Sequence, residues 1–330
     1  MAARDELGTA LYASIGTTML HYAVDAGRAA LARRSAATLP EEGQYAWPHP
    51  SGRYLYVACS NGSPGNPGTR HCTCALAIAS DGRLALHGPV VPLAARPVHI
   101  TVDVPGRHIL IAYNDPSGLT VHRLREDGAI GEEVVQAVAP DVGIFAHQTR
   151  ISASNRTAIL VTRGNDASSD RPEDPGALKV YDYDDGQLAL RQTIAPAGGI
   201  GYGPRHVDFD PAGSRLFVSL ERQNRLDVHR MQGDILEAQR QYSVDTLAEP
   251  SRVRPGQRAG TLHAHPRGGV LYVANRADGT VMDDGRQVYA GGENNIAVYV
   301  VDDAAAAPKL VQHADTHGIV PRTFAFDPSA

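Results

Sequence analysis

Four arginines, one glutamate and several histidines stand at matching distances from a turn residue that recurs along the chain. Eight residues past that turn residue the column reads Ser60, Asn114, Arg163, Glu221 and Arg276. Ahead of it, where the preceding strand starts, the column reads Gln44, Val98, His147, Arg205, Gly260 and Arg322, with Tyr45, His99, Gln148, His206 and Thr261 beside it. Arginine suits bidentate binding of carboxylate or phosphate and keeps its charge on partial burial. A lone glutamate among arginines stays ionised, its pKa lowered by the opposite charges. Histidine passes a proton near neutrality. Any one of these residues is well explained as a solvated strand end with an incidental ion pair. As a set drawn from different repeats they predict a pocket for a small anionic molecule, because charge gathered without compensation is costly.

The repeat itself is strand, turn, strand. It reads WPHPSGRYLYVACSN (47–61), HITVDVPGRHILIAYN (99–114), HQTRISASNRTAILVTRG (147–164), RHVDFDPAGSRLFVSLE (205–221) and LHAHPRGGVLYVANR (262–276). Its turn residues are Gly52, Gly106, Asn155, Gly213 and Gly268, the types that accept the positive φ of a hairpin turn. They are spaced by roughly fifty to sixty residues, near the propeller and kelch periods. The two strands are antiparallel neighbours, so the start of the first and the end of the second lie together, which is what aligns the columns.

A second hairpin sits between copies of the first: TMLHYAVDAG (18–27), CALAIASDGRLAL (74–86), LTVHRLREDGAIG (119–131), LKVYDYDDGQLAL (178–190), LDVHRMQGDILEA (226–238) and IAVYVVDDAAAAPKL (296–310). Two hairpins per period make a four-stranded antiparallel propeller blade. A pair of β-sandwiches is the alternative, but it does not require the same turn chemistry at one period. Residues 1–330 therefore read as one all-β domain of the seven-bladed propeller type. The second-strand motif occurs at LYASIG (11–16) and in the five copies above, and PRTFAFDPSA (321–330) opens a further blade whose other strands do not follow. Three outcomes stay open: a shortened chain, an open ring, or PRTFAFDPSA pairing with LYASIG in one shared blade.

Composition narrows the function. Net charge of −5 and a pI near 6.3 give no basic footprint for nucleic acid. No apolar run is long enough to span a bilayer, and MAARDELGTALYASIG lacks the regions of a signal peptide. Three cysteines do not make a disulfide framework, so a reducing cytoplasm fits. His71-Cys72-Thr73-Cys74 has metal-ligand residue types but no second ligand pair, and its cysteines read as incidental. No C-x-x-C-H motif marks covalent haem. The acidic stretch NDASSDRPEDPG (165–176) reads as a solvated loop, and Asp184-Asp185 as a repeated hairpin turn. His263 is a candidate pocket residue further down its strand, and His265 a turn residue. The single tryptophan, Trp47, argues against a propeller that docks protein partners through apolar patches. Oligomeric state is not legible.

GPRHVDFDPAGSRLFVSLE, HAHPRGGVLYVANR, ENNIAVYVVD and HGIVPRTFAFDPS resemble the propeller lactonase family, which includes bacterial 6-phosphogluconolactonases and the fungal type of 3-carboxy-cis,cis-muconate lactonising enzyme. The likeness covers nearly the whole chain and is most specific from about residue 200 onward. It implies a metal-free, cofactor-free enzyme with His147, Arg205, Glu221 and Arg276 as active-site residues. His99, Asn114, Arg163, His206, His263 and Arg322 are expected to contact substrate. For hydrolysis, His147 or Glu221 would activate water while Arg205 and Arg276 hold an anionic group and the developing oxyanion. For cycloisomerisation the same residues would protonate an alkene carbon as a carboxylate closes the ring. A non-catalytic ligand- or partner-binding propeller is the remaining alternative. ADGTVMDDGRQVYAGGEN (277–294) interrupts the pattern directly after Arg276 and reads as a polar lid or a disordered excursion.

Overall fold

The computed structural model describes residues 9–301 and 306–326. The first sheet joins β1 (Ala10–Ile15), β2 (Thr18–Asp25) and β3 (Ala30–Thr38) in that order. The second joins β4 (Gly43–Pro48), β5 (Tyr54–Ser60), β6 (His71–Ile78) and β7 (Leu84–Pro92). The third joins β8 (Pro97–Val102), β9 (His108–Asn114), β10 (Ser117–Leu124) and β11 (Ile130–Glu133). The fourth consists of β12 (Ala146–Ile151), β13 (Thr157–Thr162), β14 (Ala177–Asp184) and β15 (Gln187–Ile194). The fifth consists of β16 (Pro204–Phe209), β17 (Arg215–Leu220), β18 (Arg225–Gln232) and β19 (Ile235–Asp245). After β20 (Arg258–Ala264) and β21 (Val270–Arg276) come β22 (Thr280–Asp283) and β23 (Arg286–Tyr289), which form a ribbon of their own. β24 (Asn295–Val300) and β25 (Lys309–Asp315) then complete a sixth sheet in the order β20-β21-β24-β25. The turns between the two leading strands lie where the repeat puts them: Gly52, Gly106, Asn155, Gly213 and Gly268 all have φ between 59° and 77°.

The described residues group into two compact units, one holding 9–151 and 182–189, the other most of the remainder through residue 326. In the first unit, Tyr56, Ala75, Ile100, Ile109, Ile111 and Ile130 form one buried cluster. Cys59, Cys72 and Cys74 join Met19, Leu55, Val57 and Leu76 in another, which explains the cysteines as core residues. The second unit is built on two clusters, one around Ile159, Val180, Val207, Leu216 and Val218 and one around Leu226, Leu262, Val273 and Tyr299. Second strands such as β9 and β17 are buried on nearly every residue, whereas the outer strands β3 and β25 are largely exposed. That gradient explains why second strands read as continuous apolar runs. Among the described residues no helix is long and apolar enough to cross a membrane.

Two expectations change. Residues 321–326 form no strand, although the sequence makes them the start of a blade. Phe324 packs edge-on against His263, and Phe326 against His265 and Tyr272, so side chains rather than a ladder hold the segment. Its last residues, 327–330, lie outside the described residues, as do the opening MAARDELG and residues 302–305. The interruption at 277–294 is neither a bare loop nor an irregular excursion: β22 and β23 pair antiparallel from Thr280↔Tyr289 to Asp283↔Arg286.

Candidate active site

Arg163, Arg205, Glu221 and Arg276, expected from three different repeats, meet around one carboxylate in the second unit. Glu221 directly follows β17, its N–H donating to Gly203 O at 2.8 Å and its carbonyl accepting from Ala259 N at 3.3 Å. Its Oε1 accepts from Arg205 Nη1 at 3.1 Å and from Arg276 Nη2, and its Oε2 accepts from Arg163 Nε. All four are buried, at 1% exposure for Glu221, 5% for Arg205 and 6% for Arg163 and Arg276.

A β-bulge aims Arg205. Pro204 pairs with Leu220 and His206 with Ser219, which leaves Arg205 as an extra residue in β16. The same irregularity falls at Gln44 in β4, at Val98 in β8 and across Gly260 and Thr261 in β20. A bulge turns its side chain out of the in-out alternation, so the column predicted at first-strand starts is largely a column of bulged residues.

The electrostatics are unbalanced. Burial acts most strongly on Glu221, raising its pKa, but Arg205, Arg163 and Arg276 together outweigh it and hold the carboxyl well below the usual range. Burial is also the largest influence on Arg205. It pulls the guanidinium down to about 9 against the favourable field of Glu221, with Arg276, Arg322 and Arg163 adding to the decrease. Arg205 therefore stays protonated at neutral pH. Arg276 is lowered in the same way, by burial first. Arg163 is different: burial opposes its charge, yet Glu221 and Asp166 together raise it. The Nε–H groups of Arg205 and Arg276 are buried with no hydrogen-bond partner among the described residues.

The stretch 165–176 is solvated over residues 166–172, as read, and Asp166 and Glu173 also anchor it to the cluster. Asp166 accepts from Arg163 Nη2 at 2.6 Å and from Arg222 Nε at 2.7 Å, and Glu173 accepts from Arg222 Nη1 at 2.5 Å. Gly164 O takes a further bond from each guanidinium, both at 3.0 Å. The loop folds onto the cluster because its neck is tied, Asp174 N to Asn165 O at 3.1 Å and Asn165 Nδ2 to Asp174 Oδ2 at 2.8 Å. Arg222, Asp166 and Glu173 were not singled out from the sequence, since they lie outside the repeat columns. The available signal was adjacency, Arg222 next to Glu221 and Asp166 three residues after Arg163.

The other expected residues are placed as follows. Arg322 is exposed, its carbonyl accepting from Thr261 Oγ1 at 2.5 Å, and its charge is felt by Arg205 and Arg276. His206 is buried on β16, its N–H donating to Ser219 Oγ at 3.2 Å. His263 has Asp208 Oδ2 at 3.7 Å and the ring of Phe324 as neighbours, not Glu221. His265 Nδ1 accepts from Arg267 N, as a turn residue should. In the first unit His147 is buried on β12, His99 stacks on Tyr45 with centroids 4.2 Å apart, and Asn114 ends β9 half-buried. No group of three or more His, Cys, Asp or Glu side chains able to hold a metal ion occurs among the described residues.

Repeated four-stranded antiparallel sheets of this kind define a β-propeller. Residues 9–330 match the family described as Lactonase, 7-bladed beta-propeller, and the chain belongs to it. The 6-phosphogluconolactonase of Bacillus subtilis (strain 168) is 25% identical over 236 residues, which are 71% of this chain and 60% of the relative. The 6-phosphogluconolactonase of Pectobacterium carotovorum subsp. carotovorum is 24% identical over 228 residues, 69% of this chain and 61% of the relative. The chain thus spans about 60% of the length of these curated relatives. Among solved structures, the periplasmic gluconolactonase of Pseudomonas aeruginosa matches with a TM-score of 0.77 and 22% identity, over 97% of this chain and 86% of that one. A protein from Lactobacillus plantarum matches with a TM-score of 0.71 and 20% identity, over 98% and 85%. Both likenesses carry the fold. The described residues hold one three-stranded and five four-stranded sheets, against the seven blades of the family description.

Proposed function

We propose that the protein hydrolyses the ring ester of a small sugar-acid lactone, with Arg205 and Arg276 binding an anionic group of the substrate and the oxyanion formed on attack. The observation that carries this reading is the excess of buried cations. Three guanidiniums converge on one carboxylate, and two of them keep an unused buried N–H. Preorganised donors of this kind stabilise charge that develops at a carbonyl oxygen without reorganising during the reaction.

Glu221 does not serve as the base in this scheme. A carboxylate held by three guanidiniums is a poor proton acceptor, and its work is to keep the arginines parallel and packed. Proton transfer falls to a general base outside this carboxylate cluster. Water adds to the lactone carbonyl as the base takes its proton; collapse of the tetrahedral species expels the ring oxygen, which takes the proton back, leaving the open hydroxy acid.

Hydrolysis of glucono-δ-lactone and 6-phosphoglucono-δ-lactone, followed as acid release at constant pH and corrected for spontaneous opening, tests the reading. Enzyme-dependent acid release that disappears in Arg205→Ala is the expected result. No rate above background with either lactone would sink it.

A further inference from the structure

Of the guanidiniums around Glu221, Arg163 alone is spent internally. Its Nε serves Glu221, its Nη1 serves Gly164 O and its Nη2 serves Asp166. Asp166 is held in that position from the far side, by Arg222, which is itself pinned by Glu173 and Gly164 O. The backbone leaves little freedom: Gly164 has φ of 69°, and a Cβ there would stand 2.3 Å from Asp174 O. Asp166 is nevertheless half-exposed, so its carboxylate sits at the edge of the buried cluster rather than within it.

From this arrangement we propose that Asp166 is a specificity-determining residue: it occupies the face of Arg163 that a second acidic charge of a ligand would need, and so biases the site against doubly charged, phosphorylated lactones. The proposal rests on the lactonase reading above and deepens it. Arg163, Arg205, Arg222 and Arg276 face only Glu221, Asp166 and Glu173, so neutralising Asp166 enlarges the positive surplus of the cluster by one charge. Arg258, 3.8 Å from Asp166, and Arg322, whose charge reaches Arg205 and Arg276, add positive charge from the rim. Without Asp166, a buried guanidinium regains a free face and a dianion no longer meets a fixed carboxylate at short range. Like charges held close are the strongest means of rejecting a wrong ligand.

The test is the ratio of kcat/KM for 6-phosphoglucono-δ-lactone to that for glucono-δ-lactone. In Asp166→Asn this ratio is expected to rise about tenfold at low salt and less at 0.5 M potassium chloride, as screening requires. Asp166→Ser, which removes the charge with a smaller side chain, should give the same rise, and Asp166→Glu should restore the original ratio. A ratio unchanged in both neutral variants would overturn the proposal. If the wild-type protein opens neither lactone, the lactonase reading fails, and calorimetric titration of inorganic phosphate decides this inference separately. About tenfold tighter phosphate binding in Asp166→Asn supports it, and equal binding overturns it.

Discussion

Two buried carboxylates, Asp103 in the first unit and Glu221 in the second, keep their charge in different ways. Asp103 Oδ1 accepts from the N–H groups of Arg107 and His108 at 2.7 and 3.0 Å. Its Oδ2 accepts from His108 Nδ1 at 3.0 Å and from the Tyr183 hydroxyl at 3.1 Å. Those donors close the turn of one hairpin and seat one neighbouring tyrosine, and burial is outweighed by them, so the carboxyl is held below its usual range. Asp210 does the same at the corresponding turn, accepting from the N–H groups of Ser214 and Arg215. Glu221 instead gathers more positive charge than it can neutralise and leaves donors over. Burial of charge is common to both regions; the surplus is peculiar to one.

The comparison breaks most directly at its centres. Glu221→Gln leaves three guanidiniums buried without their counter-charge and should cost about 3–5 kcal/mol in urea unfolding at neutral pH. Because the folded-state pKa of Glu221 is depressed, its stabilising contribution is fully present above the ordinary carboxylate range and is lost as pH falls through the folded value. The stability gap between wild type and Glu221→Gln should therefore hold from neutrality down to about pH 4.3 and shrink below it. Next in size, Arg205→Ala should lower kcat/KM for the lactone by about 10²- to 10³-fold. It should shift the unfolding midpoint far less than Glu221→Gln, since Glu221 keeps Arg163 and Arg276. Asp103→Asn should cost about 2–3 kcal/mol through its charge-assisted bonds and leave turnover unchanged; lost turnover would erase the distinction between the two regions. The smallest effects lie at the turns. Gly213→Ala meets no atom within 4 Å and should cost about 1 kcal/mol for its left-handed φ. Gly106→Ala should cost more in the same thermal melts, because its Cβ would stand 2.4 Å from His49 Nε2.

How much of this was legible follows from what each feature depends on. The turn residues were legible because a positive φ selects glycine or asparagine whatever surrounds it. The convergence of Arg163, Arg205, Glu221 and Arg276 was legible because antiparallel pairing brings strand starts and strand ends together. The bulge that aims Arg205 was not, since it leaves the period of the repeat intact and changes only which partner each residue faces. The exposure of the loop over 166–172 was legible from its polar residues, whereas its anchoring to the cluster was not. Its fold depends on Asp166 finding Arg222, a partner 56 residues away. His263 looked like a pocket residue by type, but its place further along β20 gives it Asp208 and Phe324 as company. The strand expected at 321–326 is absent, and Phe324 and Phe326 pack on the rings of His263 and Tyr272.

The ribbon of β22 and β23 offers a handle on the chain from outside. All eight of its strand residues are exposed, and its tip is the tight turn at Asp284 and Gly285, with φ of 46° and 74°. Its base is clamped: Ala277 N donates to Asn294 Oδ1 at 3.0 Å, and the Gln257 amide donates to the carbonyls of Arg276 and Glu293 at 3.3 and 3.0 Å. Extra length at the tip adds closure entropy only logarithmically, so the clamp isolates the sheet from whatever is spliced there. One end of that clamp is the backbone of Arg276. A fluorophore or peptide grafted at the tip would thus leave the strand that carries Arg276 in place, making the ribbon a point of attachment that spares the cluster.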